Sequence, residues 1–361
     1  MSVLELPSTR QEAWRWSDLS ALPELARQPH GALRAADDLW IGCGGPRLLF
    51  VDGVFDAARS DAGPFAIGQI TSDASSHPLG KLAGREGWSL RLGRDHAPAG
   101  TVEIVHLATG GAGHVAGEIL LDDDAQASVV QSFIGDGWSN QATQIRLGRS
   151  ARLMLARRIA QGSGFTSLAD DAVLGAGASF TTTLLAEGAG DSRVDLAATG
   201  AGEGVYVEAG GALLARGGQH HDVNIVLRHA GLDGQSRQIW RAVAEDGGTD
   251  SIAARVEVAR GAQKTDADQS LRGLLLDRTS TINLKPELEI FADDVRCAHG
   301  ATVGELDARA LFYLASRGVP PVEARALLVR AFVADALGRI GEEAVREAFG
   351  GYAQLWLGGA Q

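Results

Sequence analysis

The sequence predicts a mainly β chain: a parallel β-helix, or solenoid, over residues 61–303, flanked by an N-terminal mixed, partly helical segment (1–60) and a C-terminal helical domain (304–361). Three observations predict it. Apolar residues alternate with period two through the centre of the chain, a turn-plus-alanine unit recurs along it, and past Gly304 the spacing becomes helical. Glycine fits this picture, because 47 of 361 residues is well above the usual share of about 7%. A chain so rich in glycine makes many turns.

In the first segment, Glu12-Ala-Trp-Arg-Trp-Ser-Asp-Leu19 has helix-start chemistry, and Leu48 to Phe55 reads as two short strands around an Asp52-Gly53 hairpin turn. From about residue 85 a strand, a tight Gly/Asp turn and an alanine recur at Ala125, Ala151, Ala178, Ala212 and Ala262. The steps are 26, 27, 34 and 50 residues, the last taken as two of 25. A drifting period of that size is how stacked rungs appear in a sequence, since no single rung buries its apolar face alone. Antiparallel hairpins in a sandwich also account for short strands, but the near-fixed spacing favours the solenoid.

Past Gly304, Asp307 to Gly318 carries Leu311, Phe312, Leu314 and Ala315 at helical spacing with an Arg317-Gly318 stop. Pro320-Pro321 opens a second helix bearing Ala324, Leu327, Leu328, Ala331 and Phe332, and a third runs from Glu342 to about Trp356. Their apolar stripe either covers the end of the solenoid, whose last rung exposes unpaired backbone, or docks a partner.

The formal charge of -12 leaves no excess of cations for phosphates, which argues against nucleic-acid and anionic-membrane partners. Two distant cysteines, Cys43 and Cys297, suit a reducing, cytoplasmic compartment. Met1-Ser-Val-Leu-Glu-Leu-Pro7 shows no leader pattern, and no run reaches the roughly 18 apolar residues of a membrane span. The phosphate-cradling loop of an ATPase is missing, Gly80-Lys81-Leu82 having neither the spacing nor the hydroxyl. The glycine runs at 110–117 and 200–204 lack dinucleotide-site spacing and read as rung turns.

Three groups of side chains bear chemistry. His220, His221 and His229 lie near Asp222, and His220, Asp222 and Asn224 share one strand face, a pattern more often structural than functional. Asp293 and Asp294 are adjacent, so on a strand they face opposite ways, and a turn suits them better than acid–base work. Cys297 and His299, two residues apart, share a face and offer a thiol and an imidazole, the ligands iron and zinc prefer. Cys43 sits in no motif and reads as structural.

The stretches Gly261 to Gln269, Asn283 to Thr302 and Leu311 to Gly318 together resemble the C-terminal signature of the SufB/SufD family. Within it, Lys285-Pro-Glu-Leu-Glu-Ile290 followed by Asp293-Asp-Val-Arg-Cys-Ala-His-Gly300 resembles the SufD branch, with Ala298 where relatives often have serine. The likeness is strong over about 255–340, and Trp14 to Leu19 is similar to a worn form of the family's N-terminal motif.

The resemblance implies a right-handed parallel β-helix and a non-enzymatic scaffold of iron–sulfur cluster assembly. Its implied partners are a SufB-like paralogue and a SufC-like ATPase, and the sequence leaves open whether the isolated chain forms a homodimer. It also implies that Leu288, Ile290, Ala292, Asp294 and Arg296 belong to a strand pairing with SufB. Leu311, Phe312, Arg317, Leu327 and Phe332 would dock SufC or pack the helices. His299, with Cys297 as auxiliary, would be the iron or cluster ligand at a shared interface. No permanently bound cofactor is implied, and a visiting flavin has no motif to support it. Two other classes compete: an extracellular-type carbohydrate-active β-helix, for which stacking aromatics are few, and a purely structural homo-oligomeric β-helix.

Overall fold

The computed structural model describes residues 6–32, 39–72 and 75–358. Met1 to Glu5, part of the stretch read above for a leader, lie outside the described residues. After a 3-10 turn at Glu12–Trp14 and a single helical turn α1 (Leu22–Leu25), strands β1 (Gly44–Val51) and β2 (Val54–Phe55) form the expected antiparallel hairpin. Asp52 and Gly53 take left-handed φ values of 50° and 82°, as the two-residue turn requires. Strands β3 (Phe65–Gln69) and β4 (Glu86–Leu92) pair antiparallel.

The solenoid is then built from three long strands, β5 (Thr101–Leu121), β6 (Gln126–Leu147) and β7 (Arg152–Leu174), each serving both faces. Shorter strands follow: β8 (Ser179–Ala186), β9 (Asp191–Gly200), β10 (Tyr206–Ala215), β11 (His220–His229) and β12 (Gln235–Ala244). The last four are β13 (Thr249–Val258), β14 (Asp266–Leu275), β15 (Thr281–Ile290) and β16 (Arg296–Glu305). One face continues β7–β9–β11–β13–β15 and the other β7–β8–β10–β12–β14–β16, every pair parallel, for about eight turns. The long strands bend at glycine: Gly137 and Gly164 are register partners with positive φ, and a Cβ on Gly164 would meet the Gly137 carbonyl oxygen at 2.0 Å.

The rung unit differs in detail from the alanine spacing. Ala125, Ala151 and Ala178 do stack, fully buried, each carbonyl accepting from the first strand residue of the next rung. The same bond then recurs at Val205, Gly234 and Thr265, so the step grows from 26 residues (Ala125 to Ala151) to 31 (Gly234 to Thr265). Ala212 instead lies inside β10, and Ala262 falls three residues short of the column. Strand β1, which precedes residue 61, already pairs in parallel with β5.

Helices α2 (Ala308–Ser316), α3 (Pro321–Leu337) and α4 (Glu343–Trp356) form where the spacing placed them, α2 capped by the Asp307 carboxylate. They do not cap the solenoid end. Val329, Val333, Leu337, Val345, Phe349 and Trp356 pack instead on Val130, Ala156, Leu185, Leu214, Val243 and Leu274, the outward residues of one flank. That flank is apolar because α3 and α4 dehydrate it. Arg216 fastens the far end, donating to the Trp356 carbonyl at 2.8 Å and lying over its ring. Among the described residues no helix is long and apolar enough to cross a membrane.

Candidate functional site at the open end

Because α3 and α4 lie along the flank, β15 and β16 end the two faces with no further strand beyond them among the described residues. Each is ten residues long, and such an edge is a row of free N–H and C=O groups that templates pairing with another chain. Pro286 sits within β15, at an edge position where a sheet tolerates a residue lacking N–H.

Parallel register sets which side chains face inward. In β14 the core residues are Ala267, Gln269 and Leu271, and their partners in β16 are Cys297, His299 and Ala301. Cys297 and His299 therefore do share a face, and it is the interior face of the last, uncovered strand. Cys297 is half-buried against the core, whereas His299 is exposed. Opposite them β15 contributes Ile282, Leu284 and Leu288. Burial and the nearby Asp266 charge push the Cys297 thiol up, against a lowering contact from the Ala267 backbone, so it is a protonated thiol at neutral pH. Among the described residues no group of three or more His, Cys, Asp or Glu side chains converges to hold a metal ion. One thiol and one imidazole make part of a site.

The stretch read as one pairing strand is a corner. Leu288 and Ile290 end β15, Ala292 and Asp294 lie in the turn, and Arg296 begins β16. Asp293 and Asp294 are in that turn, where Asp294 N–H donates to Gln263 Oε1 at 2.9 Å. On the helices, Phe312 is 76% exposed and Arg317 lies over the Tyr313 ring, while Leu311 is half-buried. Leu327 lines an apolar groove of about 570 Å³ between α3 and α4, and Phe332 is occupied in packing.

The histidines of β11 are not brought together. His221 points inward to Ser192 Oγ at 2.8 Å and His229 to Ser236 Oγ at 2.9 Å, and burial lowers both imidazoles to about 4. His220, Asp222 and Asn224 do share the outer face, where Asp222 pairs with Arg193 and Asn224 with Asp195. Cys43 is pushed up to about 12 by burial and then by the Glu103 carboxylate, which accepts from the N–H of Ile41, Gly42 and Cys43.

The sequence matches the family described as SUF system FeS cluster assembly, SufBD core domain, over residues 108–332, more than half of the chain. The chain belongs to the SufBD family. Like other SufBD proteins, it is thereby an iron–sulfur cluster assembly protein. It is 26% identical to the iron-sulfur cluster assembly protein SufD of Escherichia coli (strain K12), over 95% of this chain and 87% of that one. It is 27% identical to an iron-sulfur cluster assembly SufBD family protein of Synechocystis sp. (strain ATCC 27184 / PCC 6803 / Kazusa), over 94% and 85%. To the SufD of Bacillus subtilis (strain 168) it is 30% identical, over 40% of this chain and 33% of the relative. The SufBD match ends at residue 332, inside α3, so it takes in the open end, α2 and most of α3 but not α4.

One residue at the open end of this SufBD chain escaped the sequence reading. Gln269 is an inward, buried polar side chain directly beside His299 in register. Its signal was there: in Ala267-Asp-Gln-Ser-Leu271 the inward alternation runs Ala, Gln, Leu, with one polar member.

Proposed function

We propose that this SufBD-family chain is a SufD-like scaffold subunit without ATPase activity of its own, which pairs end to end with a SufB-like paralogue. The observation that carries the reading is the uncovered last rung, two edge strands long, with Cys297 and His299 on its inner face. Pairing at β15 and β16 would give the solenoid the next rung it lacks, and would place Leu288, Ile290, Ala292, Asp294 and Arg296 along the seam. A second copy of the chain is the alternative occupant when no paralogue is present.

In this reading the nascent cluster, or its iron, is cargo. His299 is the ligand offered by this side and Cys297 an auxiliary that must give up its proton when metal arrives. The partner supplies the remaining soft ligands, since one Cys and one His underfill an iron–sulfur cluster. A SufC-like ATPase is received by the C-terminal helices, with the exposed Phe312 and the groove at Leu327 as docking candidates. ATP-driven closure of that subunit then strains the seam and opens the shared site. The test is cluster reconstitution on the purified complex carrying His299→Ala. Loss of cluster with the complex intact is expected, and undiminished cluster formation overturns the ligand role.

A further inference from the structure

Every second residue of β14 faces the interior, and all but one of the buried ones are apolar or lack a side chain: Ala267, Leu271 and Gly273, with Gln269 between them. Gln269 is 1% exposed, and its amide is held from one side only, Nε2 donating to the Ala254 carbonyl of β13 at 2.9 Å. A carbonyl accepts and cannot donate, so that bond fixes which way round the amide lies. Oε1 is the atom left over. It is buried and has no hydrogen-bond partner. The preceding rung places a second glutamine in the same column: Gln238 is the register partner of Gln269, reaches the Arg255 carbonyl with Nε2, and likewise keeps an unpartnered Oε1. The next residue in the column, at the open end, is His299.

A buried acceptor without a donor is rare in folded proteins and asks for an explanation. The imidazole one strand away, on the same face and in register, is a donor of the right kind. Metal-binding histidines commonly give their second ring N–H to a carbonyl, which settles the tautomer and aims the other nitrogen. We propose that Gln269 is a positioning residue for His299: its Oε1 accepts one ring N–H and so presents the other, unprotonated nitrogen at the open end. This rests on the reading of His299 as the ligand from this chain. It adds what holds that ligand in the binding-competent form before the partner's ligands arrive. Gln238 backs Gln269 from the rung behind, keeping the column polar up to the mouth.

The experiment uses the full chain with 15N-labelled histidine, the His299 signals being identified by their absence in His299→Ala, and Co2+ as the probe. Wild type should show a single neutral His299 tautomer and Gln269→Leu a mixture of two, with Co2+ affinity weakened roughly tenfold or more. Gln269→Glu, which keeps an acceptor in place, should restore the single tautomer. Gln269→Leu and Gln269→Glu both lose the hydrogen bond to the Ala254 carbonyl, so a purely structural role would affect the two alike, whereas the positioning role separates them by the His299 tautomer. An unchanged tautomer in Gln269→Leu overturns the proposal. If His299→Ala leaves Co2+ affinity untouched, the ligand reading fails, while the tautomer measurement still decides the hydrogen bond.

Discussion

Arg193 and Asp222 form a buried ion pair, Nη1 to Oδ2 2.5 Å, with both side chains 2% exposed. The pair ties the N-terminal segment to the solenoid. Asp222 accepts from the Ser17 hydroxyl, 205 residues away, while Arg193 lies 4.5 Å over the Trp14 ring and donates to the Ala13 carbonyl at 2.8 Å. Asp222→Ala leaves Arg193 its two-pronged pair with Asp195, so no charge is stranded, and the loss of the charged hydrogen bonds to Ser17 and Arg193 should cost about 2 kcal/mol in urea unfolding. The amides of residues 12–19 should lose hydrogen-exchange protection first. Equal protection there in mutant and wild type would show that the strap is held by something else.

His106 stands in an aromatic ladder, stacked on Phe50 and on Phe133 with centroids 5.4 and 4.5 Å away, one ring from each neighbouring rung. Burial, helped by the Arg157 charge, holds its imidazole down to about 3. The unfolded chain takes up that proton near pH 6.5, so His106 binds protons more readily unfolded than folded. Its contribution is whole above pH 6.5 and is lost as pH falls from there towards 3. His106→Phe should therefore flatten the acid side of the stability curve, sparing about 2 kcal/mol of the loss between pH 7 and 4.5. Parallel curves for the two proteins would refute it.

How much of this was legible follows from what each signal encodes. Ala125, Ala151 and Ala178 announced the rung because equivalent corners there need a small residue, whereas Val205, Gly234 and Thr265 fill the same column with other side chains. Alanine was therefore followed to Ala212 and Ala262, out of register. The three helices were legible from their caps and spacing, but an apolar stripe does not say which surface it covers. The matching flank residues, such as Leu185 and Leu214, lie on strands whose inner faces are apolar too. Cys297 and His299 were found by period-two reasoning, and register bore out their shared face. Gln269 was missed because a single polar residue in a strand carries no sign of which face it takes until the register is known.

The flank placement of the helices has its own test. Phe349 of α4 is fully buried at the centre of the cluster formed with the solenoid's outer residues, among them Val130 and Ala156. Phe349→Ala removes the ring and leaves a cavity, which should cost about 4 kcal/mol. The loss should fall on α4 and α3, whose amides exchange faster, while the interior strands β9 to β13 keep their protection. Uniform loss across solenoid and helices would mean that the two unfold as one unit.

Val303 faces the open end from β16, 43% exposed, with its methyls and those of Ile282 meeting over Gly273. In the isolated chain a lysine there reaches water along its own stem, so Val303→Lys should change stability by no more than about 0.5 kcal/mol. If β15 and β16 are the seam, the same ammonium is trapped between two solenoid ends without a partner, at a cost of several kcal/mol. Association with a SufB-like chain, or of the chain with itself, should then weaken by more than tenfold. Sedimentation of the mutant against wild type measures both cases. A mutant that assembles with unchanged affinity would place the interface elsewhere, because no seam through these two strands leaves that side chain in water.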